Sequence, residues 1–194
     1  MTRSRFPLLV IGAGVLAGAA VIGQQAQMPT PQKPGAAAAG PTLVLDTVKG
    51  VIEIELFPAE APKSVARILE LVKNGFYRGQ RFHWVTTGVA QFGDPLSRDM
   101  TKEKEWGTGG SGYRNSVRPI GALEPSKRKF ERGAVGMAYR SNQRAEDADS
   151  QMFILTAPNP PLNGKYTLVG QVTKGLGVVE KLEKADTIKN LTVK

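Results

Sequence analysis

The 194-residue chain has no cysteine and a single histidine, His83. Without cysteine there is no disulfide, no thiolate nucleophile and no Cys-type zinc site. One histidine leaves no material for a His-based metal cluster, and none for a triad with a spare ligand. No stretch has the spacing of a carboxylate calcium loop either. Long runs of one charge are also scarce, although the formal net charge is +9. Basic residues are interleaved with acids, as in Lys102-Glu103-Lys104-Glu105, and only Lys127-Arg128-Lys129 forms a run. No aromatic stacking platform accompanies that run, so a solvated basic face is expected and nucleic-acid binding is not. The carboxylate pairs Asp147/Asp149 and Glu103/Glu105 sit in charged loops and are expected to be solvated, not catalytic.

Long apolar runs are limited to Leu8 to Ile22, preceded by Arg3 and Arg5. That pattern reads as a targeting segment over residues 1–27. No clean Ala-x-Ala site ends it, so an uncleaved anchor stays open, although the run is short for a full span. An exported domain is expected, periplasmic or extracellular, or tethered by this segment, which would be its only membrane contact. Residues 28–40 are rich in Pro, Ala and Gly and read as a linker. The folded domain is expected over 41–194, as a monomer.

Within that domain, Thr42 to Thr47 and Val51 to Leu56 alternate around Lys49-Gly50, the pattern of a hairpin. Pro62 suits a first helical turn, and Val65, Ile68, Leu69 and Val72 mark one apolar face. Asn74-Gly75 stops that helix. Further strands are expected over 134–139, 151–155, 167–172 and 188–193. A short helix carrying Val178, Val179 and Leu182 inward precedes the last one. Many short strands with few helices argue for an all-β barrel.

The most informative stretch is Arg81 to Pro95, RFHWVTTGVAQFGDP, an aromatic-rich strand broken at Gly88 and ended by a turn signal. It resembles the FHR(V/I)IPGFMxQGGD segment of the cyclophilins. Three more blocks resemble the same family in the same order: the GTGG loop at 107–110, RGAVGMA…DSQMFI, and PLNGKYTLVGQV. The similarity covers about residues 42–185. It implies a mainly β fold, a closed eight-stranded barrel with two capping helices. It also implies peptidyl-prolyl cis-trans isomerase activity on proline-containing polypeptides, without metal or cofactor.

The resemblance assigns roles residue by residue. Gln91 matches the glutamine that holds the substrate backbone, and Phe153 and Leu162 match the floor and wall of the proline pocket. Ala138 and Gln151 match groove residues, Tyr166 falls where the family has His or Tyr, and Met137 would support the pocket from below. Val89 and Ala90 fall where the family has Phe and Met, so that wall is trimmed. Pro161 takes the place of a tryptophan important for cyclosporin binding, so weak cyclosporin affinity is expected. Trp84 stands at the catalytic arginine. A weaker isomerase follows, or alternatively a non-catalytic proline-peptide binder or chaperone module on the same barrel. Strand parity would put Arg81 on the face of His83, opposite Trp84, which leaves Arg140 as the better substitute arginine. Trp84 itself could be a groove-wall or core aromatic. His83 is expected to be structural, since amide rotation moves no proton.

Overall fold

The computed structural model describes residues 40–140 and 142–194; the expected targeting segment and nearly all of the linker lie outside the described residues. The strands are β1 (Thr42–Thr47), β2 (Gly50–Leu56), β3 (Trp84–Thr86), β4 (Val89–Phe92), β5 (Ala134–Met137), β6 (Met152–Leu155), β7 (Leu168–Lys174) and β8 (Ile188–Val193). Helix α1 spans Pro62–Lys73, and α2, Leu176–Val179, is a single turn. All eight strands form one sheet in the order β3-β4-β6-β5-β7-β2-β1-β8, and every pairing is antiparallel.

The sheet curls until its ends meet. The residues ahead of β3 pair with the first residue of β8 and the residues just before it. Gly79 N–H donates to Ile188 O (2.9 Å), Ile188 N–H to Gln80 O (2.8 Å), and Phe82 N–H to Asp186 O (3.0 Å). This short seam removes the open edge that β3 and β8 would otherwise present there. Inside, Leu43, Leu45, Ile52, Ile54, Phe82, Phe92, Met152 and Ile154 are fully buried in one apolar cluster. The alternation read from β1 and β2 is what puts their leucines and isoleucines on that face.

Helix α1 buries Ser64, Val65, Ile68, Leu71 and Val72, so Leu71 takes the place expected of Leu69. Ala61 offers no capping side chain. The cap comes instead from Glu124, far along the chain, whose carboxylate accepts from Lys63 N–H (2.8 Å), Ser64 N–H (2.9 Å) and the Ser64 hydroxyl (2.7 Å). At the other end, Phe76 N–H donates to Leu71 O and Gly75 N–H to Val72 O, with Gly75 at φ +65°. That is a Schellman stop, which needs a residue tolerant of positive φ.

Candidate functional site

The register of four strands builds the site. Trp84 pairs with Gln91, Gln91 with Phe153, and Phe153 with Gly136. Cross-strand partners share a face, so Trp84, Gln91 and Phe153 stand in one row on the outside of the barrel. Gly136 ends the row for a steric reason. A Cβ there would lie 2.4 Å from Phe153 Cζ and 2.8 Å from Phe130 Cε1. The Phe153 ring therefore lies down over β5 instead of standing off the sheet. It is stacked against Phe130 (centroids 5.7 Å, 26°) and meets Tyr166 edge-on (5.6 Å, 89°). Tyr166 in turn stacks on Tyr139 at 4.5 Å.

These side chains bound a cleft of about 160 Å³, with Phe153 as its floor and Trp84, Val89, Gln91, Ala138, Leu162 and Tyr166 around it. Tyr139 and Asn159 also line it, and neither was expected. Tyr139 directly follows the matched Met137-Ala138 pair and could have been flagged as an aromatic beside a groove strand. Asn159 lies in a proline-rich turn and carries no such signal. Met137 is buried in the barrel interior and is not among the residues that line the cleft. Trp84 does not plug the cleft; its side chain stands at the rim and is 53% exposed.

Gln91 is half-buried, not fully buried. Its Nε2 donates to Gln151 Oε1 (3.0 Å), while Gln151 Nε2 donates to Gly107 O (3.1 Å) and Gly109 O (2.8 Å). Both Gln151 protons are thus used. Gln91 keeps one N–H and its carbonyl without a partner among the described residues, open to the cleft. The Gly-rich loop it reaches through Gln151 is fixed from below by Asp94, which is fully buried. Asp94 accepts from Leu96 N–H (2.8 Å), Gly109 N–H (3.1 Å) and Gly107 N–H. Gly93, at φ +105°, lets this turn press on β6; a Cβ would sit 2.3 Å from Ser150 O.

Two expectations from the sequence are corrected here. Asp149 is not solvated: it is buried and binds Arg67 (2.7 Å), Ser111 N–H (2.6 Å) and Arg118 N–H (2.9 Å). It ties α1 to the end of the Gly-rich loop. Strand parity also fails ahead of β3. Phe82 and His83 are both buried, because residues 79–83 cross the seam and regular strand begins only at Trp84. Arg81 is excluded from the cleft for a different reason than parity: its guanidinium binds Ala185 O and Thr187 Oγ1 across the seam. Arg140 lines the neighbouring small depression beyond Ala138 and Gln151, not the cleft itself.

His83 sits beneath the Gly-rich loop, 6% exposed. Neither ring nitrogen has a well-aligned hydrogen-bond partner. Burial lowers its pKa to about 4, against the opposing pull of Asp94 and the nearby Gln151. The ring is neutral at pH 7 and does not face the cleft, as its structural reading required. Among the described residues no charged side chain lines the cleft. It can therefore hold a small apolar ring and one backbone segment against a largely aromatic and aliphatic lining.

The sequence profile described as "Cyclophilin type peptidyl-prolyl cis-trans isomerase/CLD" matches residues 42–194. The chain is 42% identical over 165 residues to a probable peptidyl-prolyl cis-trans isomerase of Brucella suis, covering 82% of this chain and 81% of that protein. It is 36% identical over 143 residues to peptidyl-prolyl cis-trans isomerase B of Bacillus subtilis, covering 73% and 90%. A cyclophilin type isomerase of Cryptosporidium parvum, solved in the presence of the dipeptide Ala-Pro, superposes with a TM-score of 0.65 at 25% identity, covering 79% of this chain and 98% of that one.

Proposed function

The chain belongs to the cyclophilin-type peptidyl-prolyl cis-trans isomerases, and from that premise we propose that its cleft turns Xaa–Pro bonds of exported proteins, at a rate reduced by Trp84. The observation that carries this reading is the neutral, Phe153-floored cleft with a half-free Gln91 beside it. An Xaa–Pro amide rotates over a barrier of about 18–20 kcal/mol, set by partial double-bond character. Its two planar states differ by only about 0.5–1 kcal/mol. Lowering the barrier needs no chemistry beyond gripping the ring and stabilising the twisted amide. Phe153, Leu162 and Tyr166 hold the prolyl ring, with Val89 and Ala138 completing the wall. Gln91, oriented by Gln151, holds the adjoining backbone through its remaining N–H and carbonyl.

As the amide twists, resonance is lost and the prolyl nitrogen lone pair localises. A fixed cationic donor aimed there would stabilise that state. Trp84 supplies only a neutral N–H. Arg81 is held at the seam and Arg140 faces the adjoining depression. Removing one preorganised donor of this kind costs roughly 10²–10³ in rate. Exchange NMR on an Ala-Pro peptide tests the reading. Wild type should speed cis-trans exchange measurably, and Trp84→Arg should raise that rate by roughly 10-fold or more. Binding without faster exchange would replace the isomerase reading with the second one, a proline-segment binder, which the lack of a guanidinium at the cleft favours. Export rests on the Arg3/Arg5 and Leu8 to Ile22 pattern, and a fusion of residues 1–40 to a reporter tests it; retention of the reporter in the cytoplasm would rule it out.

A further inference from the structure

We propose that Trp84 is a specificity residue that reads the side chain one or two places from the prolyl residue, and that it selects an aromatic one. The proposal rests on the cleft being the prolyl site. Its starting point is an unexplained exposure. Trp84 is 53% exposed on a strand of three residues. Its indole N–H has no acceptor and its ring has no stacking partner among the described residues. By contrast Trp106, the other tryptophan, donates to Leu96 O and Asp99 O, both at 3.1 Å. An indole left open at the mouth of an aromatic-lined cleft is placed for a ligand, because burying it against the barrel would have removed that apolar surface from water.

The register says which ligand residue it meets. Trp84 and Phe153 are two strands apart, about 10 Å between backbones. An extended peptide advances about 3.3 Å per residue, and the indole spans part of the gap towards the cleft it lines. A prolyl ring on Phe153 therefore brings a residue one or two places along beneath the indole, on the Gln91 side. The charge around the site selects among possible side chains. A cationic side chain could also favour the ring face, but among the described residues no carboxylate lines the cleft to pair with it, so it would give up hydration without an ionic partner. An aromatic side chain carries no charge to desolvate and gains a ring-on-ring contact with Trp84. Such contacts correspond to roughly 2- to 10-fold in affinity.

The test uses Ala-Pro peptides carrying Phe, Arg or Ala at the flanking positions. Exchange NMR reads kcat/KM, and the indole N–H resonance of Trp84 reads binding, with the internally bonded Trp106 N–H as control. Wild type should favour the Phe peptide over the Ala peptide by roughly 2- to 10-fold and shift the Trp84 resonance more with it. Trp84→Ala should erase that ratio, and Trp84→Phe should restore part of it. Equal affinity for the three peptides in wild type, an unchanged preference in Trp84→Ala, or a stronger preference for Arg would each overturn the proposal. If no peptide exchanges faster yet the Trp84-dependent affinity preference persists, the isomerase reading fails and the specificity role stands. If exchange is accelerated without any preference, the reverse holds.

Discussion

Lowering the pH should destabilise this protein through one identifiable group. His83 is buried beneath the Gly-rich loop with no well-aligned hydrogen bond to either nitrogen among the described residues, and burial holds its pKa at about 4 against an ordinary 6.5. Between those values the unfolded chain binds a proton that the folded chain refuses. The contribution is therefore fully present above pH 6.5 and is lost as pH falls towards 4. At about 1.4 kcal/mol per pH unit, the loss across the window is on the order of 3 kcal/mol. Carboxylates that are paired in the fold begin to add their own loss below about pH 5. The informative interval is therefore pH 6.5 to 5, and the informative quantity is the difference between wild type and His83→Gln. Unfolding free energies from urea melts across that interval should fall for wild type by about 1 to 2 kcal/mol more than for the variant. As the only histidine, His83 also gives a single imidazole signal, so NMR titration of the folded protein reads its pKa without assignment. A midpoint near 6.5 in the folded state, or parallel pH profiles for the two proteins, would refute the reasoning.

Gly136→Ala should push the Phe153 ring off its seat, since the new Cβ would lie 2.4 Å from Phe153 Cζ. Overpacking of this kind costs about 1–3 kcal/mol, and kcat/KM should fall more than stability does; unchanged activity would mean the ring has room to move. Asp94→Ala leaves three loop N–H groups without their acceptor, at about 1–3 kcal/mol for each that water cannot reach. Amide exchange at Gly107 and Gly109 should rise, and protection equal to wild type would show that Asp94 does not hold the loop. Asp149→Ala strips a buried partner from Arg67 and should cost about 3–5 kcal/mol in a urea melt, whereas a loss below about 1 kcal/mol would place the pair with ordinary surface ion pairs.

What the sequence determined by itself was everything carried by short-range pattern. Alternation placed Leu43, Leu45, Ile52 and Ile54 on one face. Pro62 and Asn74-Gly75 bounded α1. The four family blocks gave the barrel and the row of groove residues, because those motifs are local and survive being read as letters. Only the tertiary structure decided how distant groups pair. Glu124 caps a helix some sixty residues away, which no local capping pattern announces. Asp149 looked like a loop carboxylate and is a buried anchor, since burial depends on what folds over it: Arg67, Ser111 and Arg118 come from three other segments. Parity misplaced Phe82 and His83 because the seam where the sheet closes is not a strand. The state of Trp84 likewise belongs to the fold. Composition names it as an aromatic, but whether it fills a core, blocks a pocket or stands open at a rim follows from its place on β3, with β4 between it and Phe153.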